Sequence, residues 1–300
     1  MPNHLLSWLH RWMPALAGAL LLLAENPVLA ANSPSKGVRA SAEQCRQLAA
    51  LWWGGQTGIA FEKIDPAVAV PACQRAVKEH PNNADLKAYL CRALRKAERY
   101  PEALAQCRQA AAAGSLAGMT RLGGMYENGW GVEKDAAQAV AWYRKAAAQG
   151  FAWAQSNLGA MYAGGRGVEQ DDAQAVAWYR KAAEQGHAGA QNNLGRMYAR
   201  GKGIEKDDAQ AVAWYRKAAE QENTEAQNNL GLQYVYGIGV EKDENQAVSW
   251  FRKVIEQKDG NTQDRAFAIE TLGYLKNPLA VAPLIAVLRD DNAEVRFAAA

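Results

Sequence analysis

The sequence is short of net charge, of histidine and, beyond its first thirty residues, of any long hydrophobic run. Its 300 residues set 34 Lys and Arg against 31 Asp and Glu, a formal charge of +3. So small an excess excludes a nucleic-acid binder driven by bulk charge, and no nucleic-acid partner is expected. A mean hydropathy of −0.34 excludes a protein that spans a membrane many times. A hydrophobic fraction of 49% with little net charge excludes disorder as the main state. Of four histidines, only His80 and His187 lie beyond residue 30. The sequence holds no Gly-x-Ser-x-Gly elbow, no His-Glu-x-x-His and no phosphate loop ending in Gly-Lys-Ser/Thr. We therefore expect no enzyme, no cofactor and no metal site. Length alone suggests roughly two domains.

Residues 1–30 read as a secretory signal. Arg11 precedes the uncharged stretch Trp12 to Ala24, Glu25 and Pro27 break it, and Val28-Leu29-Ala30 offers small residues for cleavage before Ala31. The stretch is shorter than the about 20 residues that cross a bilayer, although an uncleaved anchor is the competing reading. No cysteine follows it before Cys45, which argues against a lipid anchor. A periplasmic or secreted protein, cut after Ala30 and without stable membrane insertion, is expected.

The middle of the chain repeats every 36 residues. Trp142-Tyr143-Arg144-Lys145 returns at Trp178, at Trp214 and, as Trp250-Phe251-Arg252-Lys253, at Trp250. Leu122-Gly123, Tyr126 and Gly129-x-Gly131 return with the same step at Leu158, Tyr162 and Gly165, and twice more. Each unit reads as a helical hairpin. Leu158, Met161 and Tyr162 share one face of the first helix. Gly159 inside that helix costs about 1 kcal/mol against Ala, which predicts a neighbouring helix pressed onto bare backbone. The Gly-x-Gly pair allows positive φ after the helix. Asp171 followed by Gln174 reads as a capping box for the second helix, whose buried face is expected at Ala175, Trp178, Tyr179 and Ala182. The recurrent Arg-Lys pair reads as a solvated face matched to the helix dipole, with an anion-binding stripe as the competing reading.

Leu158-Gly-x-Met161-Tyr162, Gly165-x-Gly167-Val168 and Ala175-x-x-Trp178-Tyr179-x-Lys181-Ala182-Ala183-x-Gln185-Gly186 resemble the Sel-one-like repeat family, a relative of the tetratricopeptide repeats. The resemblance runs over 117–258, in four repeats placed at 115–260. The fourth copy departs most, with Gln233, Phe251 and Val254-Ile255. Residues 41–114 resemble tetratricopeptide hairpins more loosely: Cys73-x-x-Ala76 before Pro81 looks like a second helix, and Leu90-Cys91 with Tyr100-x-x-Ala103-x-x-x-Cys107 like the next pair. From Thr262 the step changes to 31, from Arg265-Ala266-Phe267-Ala268 to Arg296-Phe297-Ala298-Ala299, and 262–300 resembles a HEAT repeat. The resemblance implies an all-α, right-handed α-solenoid that presents a groove to a protein or peptide. Its HEAT end stops inside a helix, so we expect the chain to continue past Ala300 or this end to dock. A regulatory arm of a longer protein with a catalytic domain beyond Ala300 is one alternative. A β-lactam- or cell-wall-binding repeat protein is another, although cysteine-rich relatives linked to β-lactams carry a cysteine pair in each repeat and these four repeats carry none.

An even, clustered cysteine set in an oxidising compartment suggests two disulfides among three connectivities. On the hairpin resemblance, with Cys45, Leu48, Ala49 and Trp52 on one helix face, Cys45–Cys73 and Cys91–Cys107 are favoured. Free buried thiols are the competing reading.

Partner residues are sought where the copies disagree. By analogy with tetratricopeptide helices, the first helix of each unit lines the groove. Its positions run Thr120, Ser156, Asn192, Asn228 and Arg121, Asn157, Asn193, Asn229, a row of amides suited to a peptide backbone. Arg196 and Arg200 replace Ala160 and Gly164 and suit an acidic group. Trp153 stands where other copies have Gly189 and Glu225, Trp130 where they have Arg166 and Lys202, and Leu232 and Tyr236 replace Arg196 and Arg200. Such residues anchor interfaces. The amides equally suit bridges between turns, and the aromatics equally suit packing on the adjacent repeat.

Overall fold

The computed structural model describes residues 36–49, 61, 63–258 and 261–298, with side chains from Ser41 onward. The leader and Trp52 lie outside the described residues. Among the described residues fifteen α-helices and one 3-10 turn follow one another, and no strand occurs. The N-terminal part comprises α1 (Lys36–Ala49), α2 (Pro66–Glu79), α3 (Ala84–Lys96) and α4 (Tyr100–Ala112). The repeat hairpins are α5 (Leu116–Asn128) with α6 (Ala136–Ala147), α7 (Ala152–Gly164) with α8 (Asp172–Glu184), α9 (Ala188–Arg200) with α10 (Asp208–Ala219) and α11 (Thr224–Tyr236) with α12 (Glu244–Glu256). Then come α13 (Thr262–Leu275), the turn Pro278–Ala280, α14 (Val281–Val287) and α15 (Ala293–Ala298). From α1 to α13 each helix packs on its chain neighbours, as a solenoid requires, and α15 packs back on α13.

Local chemistry sets the hairpins. Asp135, Asp171 and Asp207 each accept the N–H of the Gln three residues on at 2.9 Å, and Asp243 accepts that of Gln246 at 3.0 Å. The second arm of a capping box is not used. The Asp backbone N–H instead donates to the carbonyl of Tyr126, Tyr162, Tyr198 or Tyr234 at 2.9–3.1 Å, which clips the loop to the first helix. The glycine expectation holds: a Cβ on Gly159 would stand 2.8 Å from the Tyr179 ring, and one on Gly195 2.7 Å from Tyr215. The second glycine of each Gly-x-Gly does more than turn the chain. At Gly167 (φ 68°) a Cβ would lie 2.2 Å from the carbonyl of Ala136, so this loop sits directly on the start of the preceding repeat's second helix.

The core is a row of layers joined by the repeat tyrosines. Tyr126 packs against the N-terminal cluster and the first repeat's cluster, Tyr162 and Tyr198 bridge the next layers, and Tyr234 reaches the cluster shared with the HEAT-like end. The tryptophans do not hold the buried slot expected of them. Val176 and Tyr179 are buried at 4%, while Trp178 is half-buried at the flank, where the Lys181 ammonium lies 4.3 Å from its ring centre. Lys145, Lys217 and Lys253 cover Trp142, Trp214 and Trp250 in the same way. Two disulfides, Cys45–Cys73 and Cys91–Cys107, pin α1 to α2 and α3 to α4.

Candidate partner-binding surface

Most of what recurs in the repeats is spent inside the stack. Arg144 donates to the Tyr162 hydroxyl of the following repeat at 3.1 Å, Arg180 to Tyr198 at 3.1 Å and Arg216 to Tyr234 at 2.8 Å. With the lysines over tryptophans, the Arg-Lys pairs are joints between and within repeats. The pairs are exposed except for the half-buried Arg180, as a solvated face requires, and they make these joints from the surface. Arg252, which has no repeat tyrosine after it, pairs with Glu256 instead.

A second joint was not anticipated from the sequence. Gln155, Gln191 and Gln227 are buried on the first helices. Each donates to the last-turn carbonyl of the preceding second helix, Ala147, Ala183 or Ala219, at 3.1–3.3 Å. Each also accepts from the glutamine thirty residues on, Gln185, Gln221 or Gln257, at 2.7–3.0 Å. The 36-residue recurrence of these glutamines was the available signal.

The predicted amide row divides. Asn192 and Asn228 are 1% and 5% exposed and are withdrawn as partner contacts. The reason is the closeness of consecutive first helices: Asn229 donates to the Asn192 side-chain oxygen at 2.9 Å, and Asn228 donates to the carbonyl of Asp264 at 3.0 Å. Asn229 is thereby consumed as well. Asn157 and Asn193 remain half-buried at the same repeat position as Asn229.

The odd aromatics divide likewise. Trp130 stacks on Tyr100 with centroids 6.3 Å apart, and the Arg95 guanidinium lies 4.5 Å from its ring centre, so it fastens the first repeat to α4 and α3. Trp153 meets His187 edge-on at 4.5 Å, and its Nε1 is buried. Both are packing residues here. His187 caps α9 by accepting the Ala190 N–H at 3.0 Å, and burial pushes its pKa down to about 4. Arg196 has found its acidic partner within the chain, Glu225 at 3.0 Å, and Leu232 packs on the core at the HEAT-like end. Arg200 and Tyr236 stay exposed, Tyr236 at 67%. They occupy one repeat position, the last helical residue before the left-handed glycine, which is Asn128 and Gly164 in the earlier copies.

At the other end of the amide row, Arg121 is half-buried overall, while its Nε and Nη2 are shut off from solvent without a hydrogen-bond partner. Burial, then Arg92 and Arg95, push its pKa well below the arginine range. Burial likewise raises Tyr179 and Tyr215 to about 12.

Such a stack of hairpins with a recurrent internal clip defines a helical repeat protein. The comparisons refine that class. Residues 116–151, 154–187, 188–223 and 224–259 match the Sel1 repeat, and residues 243–300 match HEAT repeats. The chain is similar to c5321, a protective antigen of uropathogenic Escherichia coli with an SLR fold, at 31% identity and a TM-score of 0.59, over 83% of this chain. It spans about half the length of that relative (52%). It is also similar to a Sel1 repeat protein from Oxalobacter formigenes, at 36% identity and a TM-score of 0.56, over 68% of this chain and 86% of that one. Comparison with the curated proteins gives no match. The chain belongs to the Sel1 repeat family. The HEAT match starts at 243, ahead of the Thr262 start expected, so α12 falls in both matches.

Proposed function

We propose that this chain is a non-catalytic scaffold of the bacterial periplasm or exterior that holds a partner protein or peptide along its first helices. One observation carries the reading. The repeat-constant residues are used up in clipping, bridging and layering the stack, whereas the position that varies as Asn128, Gly164, Arg200 and Tyr236 ends in two exposed side chains. Asn157 and Asn193 add half-buried amides on the same helices. Two disulfides support an oxidising compartment, and no helix among the described residues is long and apolar enough to cross a membrane.

A photo-crosslinking amino acid placed at Tyr236, and separately at the exposed Ala177 of α8, tests the surface in cells. A discrete adduct from position 236 only, lost in the Arg200→Ala/Asn193→Ala double variant at unchanged melting temperature, is expected. Equal adducts from both positions, or none from 236, would reject it. Fractionation of the same cells checks the compartment.

A further inference from the structure

The seam between α3 and α5 brings Arg92 and Arg95 near Arg121, a buried cation of the same sign. On α5, the orphan nitrogens of Arg121 are Nε and Nη2, the two on one edge of the guanidinium. That edge holds the two oxygens of a carboxylate by parallel hydrogen bonds. An arginine cannot escape its burial by giving up the proton, so the charge stays. The ionisable groups that act on it are Arg92 and Arg95, of like sign, and the Tyr89 hydroxyl.

The surrounding groups are committed elsewhere. Arg92 is 3% exposed and donates to the carbonyl of Ala49 at 3.3 Å. Arg95 lies between Phe61 and Trp130, 4.0 and 4.5 Å from their ring centres, and Lys96 lies 5.3 Å from that of Phe61. Aromatic faces hold these cations in place. Asp85 acts on Tyr89, but its carboxylate accepts from Ser115 at 2.7 Å, and it is not among the groups acting on Arg121. Asn157, Asn193 and Asn229 hold the same repeat position without charge. The first repeat therefore keeps, in the groove row, a cation that stacking does not need.

We infer that the α3–α5 seam is a carboxylate-binding site in which a partner's acidic side chain or chain terminus forms a two-pronged pair with Arg121. The inference deepens the scaffold reading and rests on it, since it names the chemistry of one partner contact. A buried charge without a counter-ion destabilises the unliganded protein, and the ligand restores the balance.

Calorimetry and thermal melting of the purified full chain in low-chloride buffer test this with three probes: C-terminally amidated tetraglutamate, tetra-alanine with a free C-terminus, and inorganic phosphate. The chain is expected to bind at least one peptide and to melt at higher temperature with it. Binding of tetraglutamate assigns a side-chain carboxylate, and binding of tetra-alanine a chain terminus. Arg121→Met should weaken that binding at least tenfold and melt above the wild type in anion-free buffer. Arg121→Lys, which keeps the charge and loses the fork, should also bind at least tenfold more weakly, and it carries the test if the Met variant fails to fold. A response to phosphate alone, a response to no probe, or undiminished binding by the variants would overturn the inference. Crosslinking from Tyr236 does not involve Arg121, so the scaffold reading stands or falls separately.

Discussion

The Sel1 stack and the HEAT-like end solve the same problem with different chemistry. Wherever one hairpin follows another, the last turn of a second helix leaves carbonyls in need of donors. In the Sel1 stack a neutral glutamine reaches the carbonyl of Ala147, Ala183 or Ala219 and is itself held by a second glutamine. At the corresponding carbonyl of Ile255 the donor is Arg265, 3% exposed, which donates at 3.1 Å and pairs with Asp290. The amide joint is redundant and uncharged, and an Arg–Tyr bond across the same interface backs it. The arginine joint rests on one ion pair supplied from beyond α14. A repeat that must tolerate many copies of itself uses the first device, and a junction that occurs once can use the second.

That contrast is easiest to break at the ion pair. Asp290→Ala leaves Arg265 buried without its carboxylate and should destabilise α13–α15 by about 3 kcal/mol, read as faster hydrogen exchange confined to residues 262–298. Loss of protection spreading evenly into α7–α10 would show that the two regions do not melt as separate units. In the stack, Gln191→Ala removes one donor to Ala183 and one acceptor for Gln221 and should cost about 1–2 kcal/mol by urea unfolding. A cost equal to that of Asp290→Ala would erase the distinction between the joints.

Acid offers a subtler separation. His187 is held down to about 4 by burial against an ordinary value of 6.5, so between these pH values the unfolded chain binds more protons. Its contribution is complete above about pH 6.5 and is lost as pH falls toward 4, at most about 3.5 kcal/mol. Arg265 holds Asp290 below its ordinary value, so that contribution persists above the usual carboxylate range and is lost only at lower pH. The middle of the stack should therefore loosen first. His187→Asn, the cap used at Asn223, should flatten the stability profile between pH 4 and 6.5, and an unchanged slope would show that His187 is not its source.

Much of the fold could be read from the period because steric demands repeat with it. Gly159 signalled a neighbouring helix pressed on bare backbone, where the ring of Tyr179 lies, and Asp171 signalled its cap. The cysteine pairs followed once their helices were placed in hairpins. The surface was harder. An analogy locates a helix face but not how near two first helices come, and Asn192 and Asn228 vanish into that contact. The glutamine joint has the same period as the glycines, but a polar residue on an Ala-rich helix looks solvated until its carbonyl is found. Arg121 occupies an asparagine's place, and its exception becomes visible only when its neighbours prove to be Arg92 and Arg95.

Because α12 closes the last Sel1 hairpin and opens the HEAT match, the two repeat types overlap by a helix instead of meeting at a linker. A duplication or loss of whole 36-residue units upstream would carry its clips, bridges and layer along with it and leave that overlap untouched. Each added or lost unit would change the spacing between Arg121, near the disulfides, and Tyr236 by one 36-residue step. The stack is thus built like a ruler whose length is set in whole steps.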